Sequence, residues 1–100
     1  MLSSVMRVVG RGLFAEFILR HPDAGSSLGA WLRLMDVNEF KHFVSLRRTF
    51  GSADYVRPYT VFNIAGNKYR LITVISYQVR TISIERVLTH AEYDQNKWKK

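Results

Sequence analysis

Midway along this 100-residue chain the spacing of apolar residues changes from a helical period to an extended one, and that switch most restricts the fold. In the first half, Leu13, Phe14, Phe17 and Ile18 mark the buried stripe of a helix. His21-Pro22 should end it, because the residue before proline is steered away from helical backbone angles. A second helix, with Ser26 or Ser27 as its expected cap, carries Leu28, Trp31, Leu32 and Met35 at i, i+3, i+4, i+7. A shorter helical piece is expected around 38–44, presenting Phe40, Phe43 and Val44. These aromatics read as core. Residues 45–58 lose all periodicity and read as a surface loop rich in Gly, Ser, Asp and Pro.

From Tyr59 onward the composition favours strands. Residues 59–64 and 68–77 flank an Ala65-Gly66-Asn67 turn, and 79–88 follow. Val5 to Val9, ended by Gly10, reads as one more strand. The expectation is an α+β fold: a small antiparallel sheet, made of a three-stranded meander plus the N-terminal strand, packed on two or three N-terminal helices. One domain spanning 1–100 fits this length, with 95–100 expected as a flexible tail.

Charge narrows the function. Fifteen Lys+Arg against eight Asp+Glu give +7, divided about +3 in residues 1–50 and +4 in 51–100, so the excess is no mere basic tail. Such a field draws polyanions, with nucleic acid the first candidate and an acidic protein or an anionic surface the others. The bland reading is a charge that only serves solubility. No apolar run reaches membrane-spanning length, the N-terminus lacks signal-peptide character, and the absence of cysteine fits a reducing cytoplasm.

Cutting RNA without a metal requires a base for the 2′-hydroxyl, cations for the crowded phosphate and an acid for the leaving 5′-oxygen. Strand alternation puts Lys68 and Arg70 on one face, with Asn63 able to join from the paired strand. His90 suits either proton role, since the ordinary imidazole pKa is near 6.5. Tyr93 suits an acid, or a base only with a lowered pKa. Asp94 suits orienting His90 or accepting a proton. On spacing alone, a His with a nearby Tyr and Asp is a common structural arrangement. Arg47, Arg48 and Arg57 either contact phosphates or decorate a solvated connector. Thr89 and Glu92 fit a helix-capping box. Rival chemistries lack their motifs: His21, His42 and His90 have no zinc spacing, no metal is expected, and no phosphate-binding glycine loop or nucleophile elbow occurs.

Two segments, Val61-Phe-Asn-Ile-Ala-Gly-Asn-Lys-Tyr-Arg-Leu71 and Thr89-His-Ala-Glu-Tyr-Asp94, resemble signature blocks of the HigB family of bacterial toxins in the RelE superfamily. Met6-Arg-Val, His21-Pro-Asp-Ala24, Trp31 and Phe50-Gly-Ser-Ala-Asp54 extend the likeness over nearly the whole chain, leaving 1–5 as an extension or another choice of start. The resemblance implies a RelE-like fold and a cytoplasmic mRNA interferase, an endoribonuclease cutting messages in the ribosome. It implies no cofactor, and a HigA-like helix-turn-helix antitoxin through which alone operator DNA is bound, with no membrane role. By position, Lys68 and Arg70 would hold the scissile phosphate, and His90, Tyr93 and Asp94 would move protons and position nucleotides. Asn63, Asn67 and Arg86, with Arg47, Arg48 and Arg57, are the expected RNA contacts. The family pattern has an arginine four residues before the Thr-His pair, where this chain has Glu85 followed by Arg86. In a regular strand that shift sends the cation to the opposite face, so either a bulge compensates or the contact is absent. The alternative is a degenerate toxin, a non-catalytic basic module that binds RNA or the antitoxin.

Overall fold

A computed structural model describes residues 5–99, so the N-terminal extension is outside the described residues except for Val5. In chain order the elements are β1 (Arg7–Val9), α1 (Gly12–Arg20), a 3-10 turn (Pro22–Ala24), α2 (Gly25–Val37) and α3 (Phe43–Thr49). Then come β2 (Asp54–Val56), β3 (Tyr59–Ile64), β4 (Tyr69–Ser76), β5 (Thr81–Thr89) and α4 (His90–Asp94). The α+β class and the helix-then-strand order agree with the sequence. The sheet is larger and mixed: five strands in the order β1-β5-β4-β3-β2, with β1 parallel to β5 and all other pairs antiparallel.

Three local expectations are corrected. Ser26 and Ser27 do not cap α2, because the 3-10 turn runs straight into it: Ala24 already has helical angles, and its N–H is held by the His21 carbonyl. The third helix lies at 43–49 rather than 38–44. His42 caps it by accepting from the Ser45 N–H while Ser45 Oγ accepts from the His42 N–H, a pairing outside the usual Ser/Thr–Glu signature. The supposed loop therefore contains five of the seven residues of α3 and all of β2, which at three residues is too short to show alternation.

The sheet buries both faces. Against the helices lies the larger cluster, where Phe14, Phe17, Leu28, Trp31 and Met35 meet Phe62, Leu71, Ile82 and Ile84. On the other face Val61 and Ile72 lie under Trp98, with Leu88 and Tyr93 alongside. Residues 69–73 of β4 are accordingly buried without alternation. In the segment 95–99, Trp98 is buried at 3% exposed, while Gln95, Asn96, Lys97 and Lys99 are exposed.

β5 also breaks its own period. Thr73 pairs with Ile84 and Ile72 with Arg86, so Glu85 is an extra residue bulged out of the ladder. Ile82 and Ile84 enter the helix-side core, whereas Arg86 and Leu88 share the opposite face with Ile72 and Arg70. Regular alternation would keep Arg86 and Leu88 on the face of Ile82 and Ile84, and it holds only up to the bulge.

Candidate active site

The C-terminal end of β5, the start of β4 and the short α4 meet at one end of the sheet. Thr89 caps α4 in a full capping box: its Oγ1 accepts from the Glu92 N–H and the Glu92 carboxylate accepts from the Thr89 N–H. The His90 N–H donates to the Lys68 carbonyl at 2.9 Å, fastening the helix to the turn before β4. One helical turn on, Asp94 Oδ2 lies 2.9 Å from His90 Nδ1. Both side chains are about half exposed, so the pair orients the imidazole more than it stabilises the fold. With Nδ1–H given to the carboxylate, Nε2 is the nitrogen left to accept a proton.

Arg70 is buried to 9% exposure, with its guanidinium 5.3 Å from the centre of the Tyr93 ring. It donates to the Asn67 carbonyl (3.0 Å), the Tyr69 carbonyl (3.2 Å) and Asn67 Oδ1 (3.3 Å), and that same Oδ1 accepts from Asn63 Nδ2. Asn63, Asn67 and Arg70, all expected at the site, thus form one polar unit. Tyr93 is held in addition by Trp98, whose indole stacks on the phenol ring at 5.0 Å and 15°. Burial pushes the Tyr93 phenol above its ordinary pKa, as do the charges of Asp54 and Asp94, with Arg70 opposing. The ring therefore remains a protonated donor at neutral pH.

Lys68 behaves differently from the expectation. β4 begins at Tyr69, so Lys68 lies in the turn, outside the alternating strand. Its Nζ donates to Asp23 Oδ2 at 2.8 Å, and the Tyr69 hydroxyl donates to Oδ1 of the same carboxylate at 2.6 Å. Both bonds lower the Asp23 pKa, Lys68 foremost; in return Asp23 raises those of Lys68 and Tyr69. Lys68 and Arg70 are sequence neighbours at one end of the sheet, but Lys68 turns toward the helix side and Arg70 toward Tyr93.

Of the remaining expected RNA contacts, the bulge brings Arg86 to the Arg70 face. Arg86 also lines a cleft of about 420 Å³ between α1 and β5, together with Phe17, Arg20 and Glu92. Among the described residues no hydrogen bond or ion pair joins Arg47 or Arg48 to Arg70, His90 or Tyr93. Arg47 and Arg48 occupy the last turn of α3, where cations complement the helix dipole, and Arg47 reaches the Gly51 carbonyl. Arg57 sits in the β2–β3 turn, at the opposite end of β3 from Asn63 and about 13 Å of strand away. The sequence did not single out Asp23 or Trp98 for the site. Asp23 had a signal, since it belongs to the His21-Pro-Asp-Ala24 block; Trp98, flanked by lysines, had none.

A mixed sheet with helices on one face, ending in an imidazole, a phenol and buried and exposed cations, defines a small basic α+β protein of RelE-like architecture. The sequence comparisons make this specific: residues 24–96 match the HigB toxin profile, described as the RelE-like toxic component of a toxin-antitoxin system. The mRNA interferase toxin HigB of Escherichia coli K12 is 31% identical over 92 residues, covering 89% of this chain and 88% of the relative. The mRNA interferases HigB of Escherichia coli O157:H7 and Shigella flexneri match to the same extent. The chain belongs to the HigB toxin family.

Proposed function

We propose that this toxin is an endoribonuclease that cleaves mRNA on the ribosome, in the cytoplasm, and is held inactive by a HigA-like helix-turn-helix antitoxin. The observation that carries the chemistry is the grouping of His90, oriented by Asp94, with Tyr93 and Arg70 at one end of the sheet. The relatives' names supply the substrate class.

In this reading His90 Nε2 takes the proton of the 2′-hydroxyl. The O2′–P bond forms, the P–O5′ bond breaks, and a 2′,3′-cyclic phosphate remains. The 5′-oxygen takes its proton from the Tyr93 phenol, whose raised pKa suits a donor and disfavours a base. Arg70 and Lys68 offset the charge that builds on the phosphate, with Lys68 sharing its three donors between Asp23 and the substrate. Asn63, Asn67 and Arg86 hold neighbouring nucleotides. The chemistry uses side chains alone.

The test is induction of wild type beside His90→Ala and Lys68→Ala, with cleavage mapped by primer extension. Wild type should arrest growth and cut message, and His90→Ala should lose roughly 10²–10⁴-fold in rate, the usual worth of a positioned acid or base. A wild type that spares message in the presence of ribosomes refutes the nuclease reading in favour of a binding module. Normal cutting by His90→Ala refutes only the assignment of the base.

A further inference from the structure

We propose that Trp98 is a positioning residue for Tyr93 and, through it, for Arg70. The proposal rests on the nuclease reading above. α4 has five residues, too few to hold a side chain in place by helix propensity, so the position of Tyr93 depends on tertiary contacts. Trp98 supplies two of them. Its ring stacks on the phenol, and its Nε1 donates to the Tyr93 carbonyl at 2.9 Å, closing the chain between them.

The indole is itself fixed. It is 3% exposed, lies on Val61 and Ile72, and meets the Tyr59 ring edge-on at 5.5 Å and 69°. Tyr59, Val61 and Ile72 belong to the interior strands β3 and β4, so Trp98 transmits the rigidity of the sheet to an otherwise marginal helix. Arg70 lies over the same phenol ring, so displacing Tyr93 also removes one wall of the guanidinium's setting. A group acting only through Tyr93 should change the rate on bound RNA rather than the binding of RNA.

The experiment compares the full-length wild type with Trp98→Ala, Trp98→Phe, Trp98→Leu and Tyr93→Ala, scoring kcat and KM on RNA and the NMR shifts of the Tyr93 ring protons. Trp98→Ala and Trp98→Leu should lose about 10- to 100-fold in kcat, the scale of a misplaced reacting group, with KM near wild type. Trp98→Phe preserves the stack and should recover most of the rate. Ring-current-shifted Tyr93 resonances should be present in wild type and Trp98→Phe and lost in the other two Trp98 variants. Leucine refills the apolar pocket, so Trp98→Leu remains informative if Trp98→Ala fails to fold. If Tyr93→Ala is slow while Trp98→Leu turns over at the wild-type kcat, the positioning role is refuted and the nuclease site stands. If Tyr93→Ala itself cuts normally, the site assignment fails and the positioning role with it. A Trp98→Phe variant as slow as Trp98→Leu although its Tyr93 resonances keep the wild-type shifts also overturns the proposal.

Discussion

Asp23 illustrates what a single residue contributes and why it was hard to read. It is 45 positions from Lys68, and no local rule pairs a 3-10 turn with a strand end. Only the fold brings Lys68 and Tyr69 to the same carboxylate. The expected cation pair of Lys68 and Arg70 rested on strand alternation, and it failed because the strand starts one residue too late to include Lys68. His90 and Asp94 were legible because four residues is one helical turn, and the Thr89–Glu92 box announced that helix. The Asp23 bonds predict a titration. Lys68→Met removes the main cause of the lowered Asp23 pKa, so its carboxyl should titrate closer to the ordinary 3.8 when followed by NMR. The sign for stability follows from the depressed value. The contribution is present above the unfolded pKa and lost as pH falls through the folded one, so the wild-type advantage over Lys68→Met should fade on acidification below about pH 4. An Asp23 titration unchanged by the substitution would remove Lys68 as the cause.

At the level of elements, the helices and the long strands were legible because each runs through enough periods for its apolar stripe to repeat. The misses are all short or irregular: β2 with three residues, α3 with an unusual His42–Ser45 cap, and the bulge at Glu85. The bulge resolves the open question about the arginine. In a regular strand Arg86 would follow Ile82 and Ile84 into the core; the extra residue turns it to the Arg70 face instead. Glu85 is exposed and its carboxylate accepts from Ser83 Oγ, so nothing buried depends on it. Deleting Glu85 should therefore leave Ile84 opposite Thr73 and Arg86 opposite Ile72 in an unbroken ladder. That variant should fold, with both faces intact. Deleting Val87 instead leaves Leu88 in its place and moves every later pairing, including Tyr69 with Thr89, by one residue. Its thermal midpoint should collapse while that of the Glu85 deletion changes little. Equal damage from both deletions would mean that the bulge, rather than the register it corrects, is what β5 requires.

On the scale of the whole molecule, +7 is carried by a body with a radius of gyration of 13.0 Å. That is not much larger than the screening length of about 8 Å at physiological salt, so the charges act together at low salt and separately at high salt. Among the described residues three carboxylates sit in ion pairs, Asp36 with Arg11, Asp23 with Lys68 and Glu39 with Arg80, each of which removes one charge of either sign and leaves the balance strongly basic. For a protein that reads RNA by its backbone, each phosphate neutralised releases a counterion. The logarithm of affinity should then fall with the logarithm of salt at a slope of about −0.7 per contact on a single strand. His90→Ala makes this measurable, since it should bind without cutting. Adding Arg86→Ala to that background should lower the slope by about 0.7 if Arg86 touches a phosphate. Adding Arg57→Ala, at the far end of β3, should leave it unchanged. The two arginines carry the same formal charge, so a net-charge effect would reduce both slopes alike. A difference between them assigns the contact to the Arg70 face; equal slopes for both variants would mean that the basic surface attracts RNA without a defined track across that face.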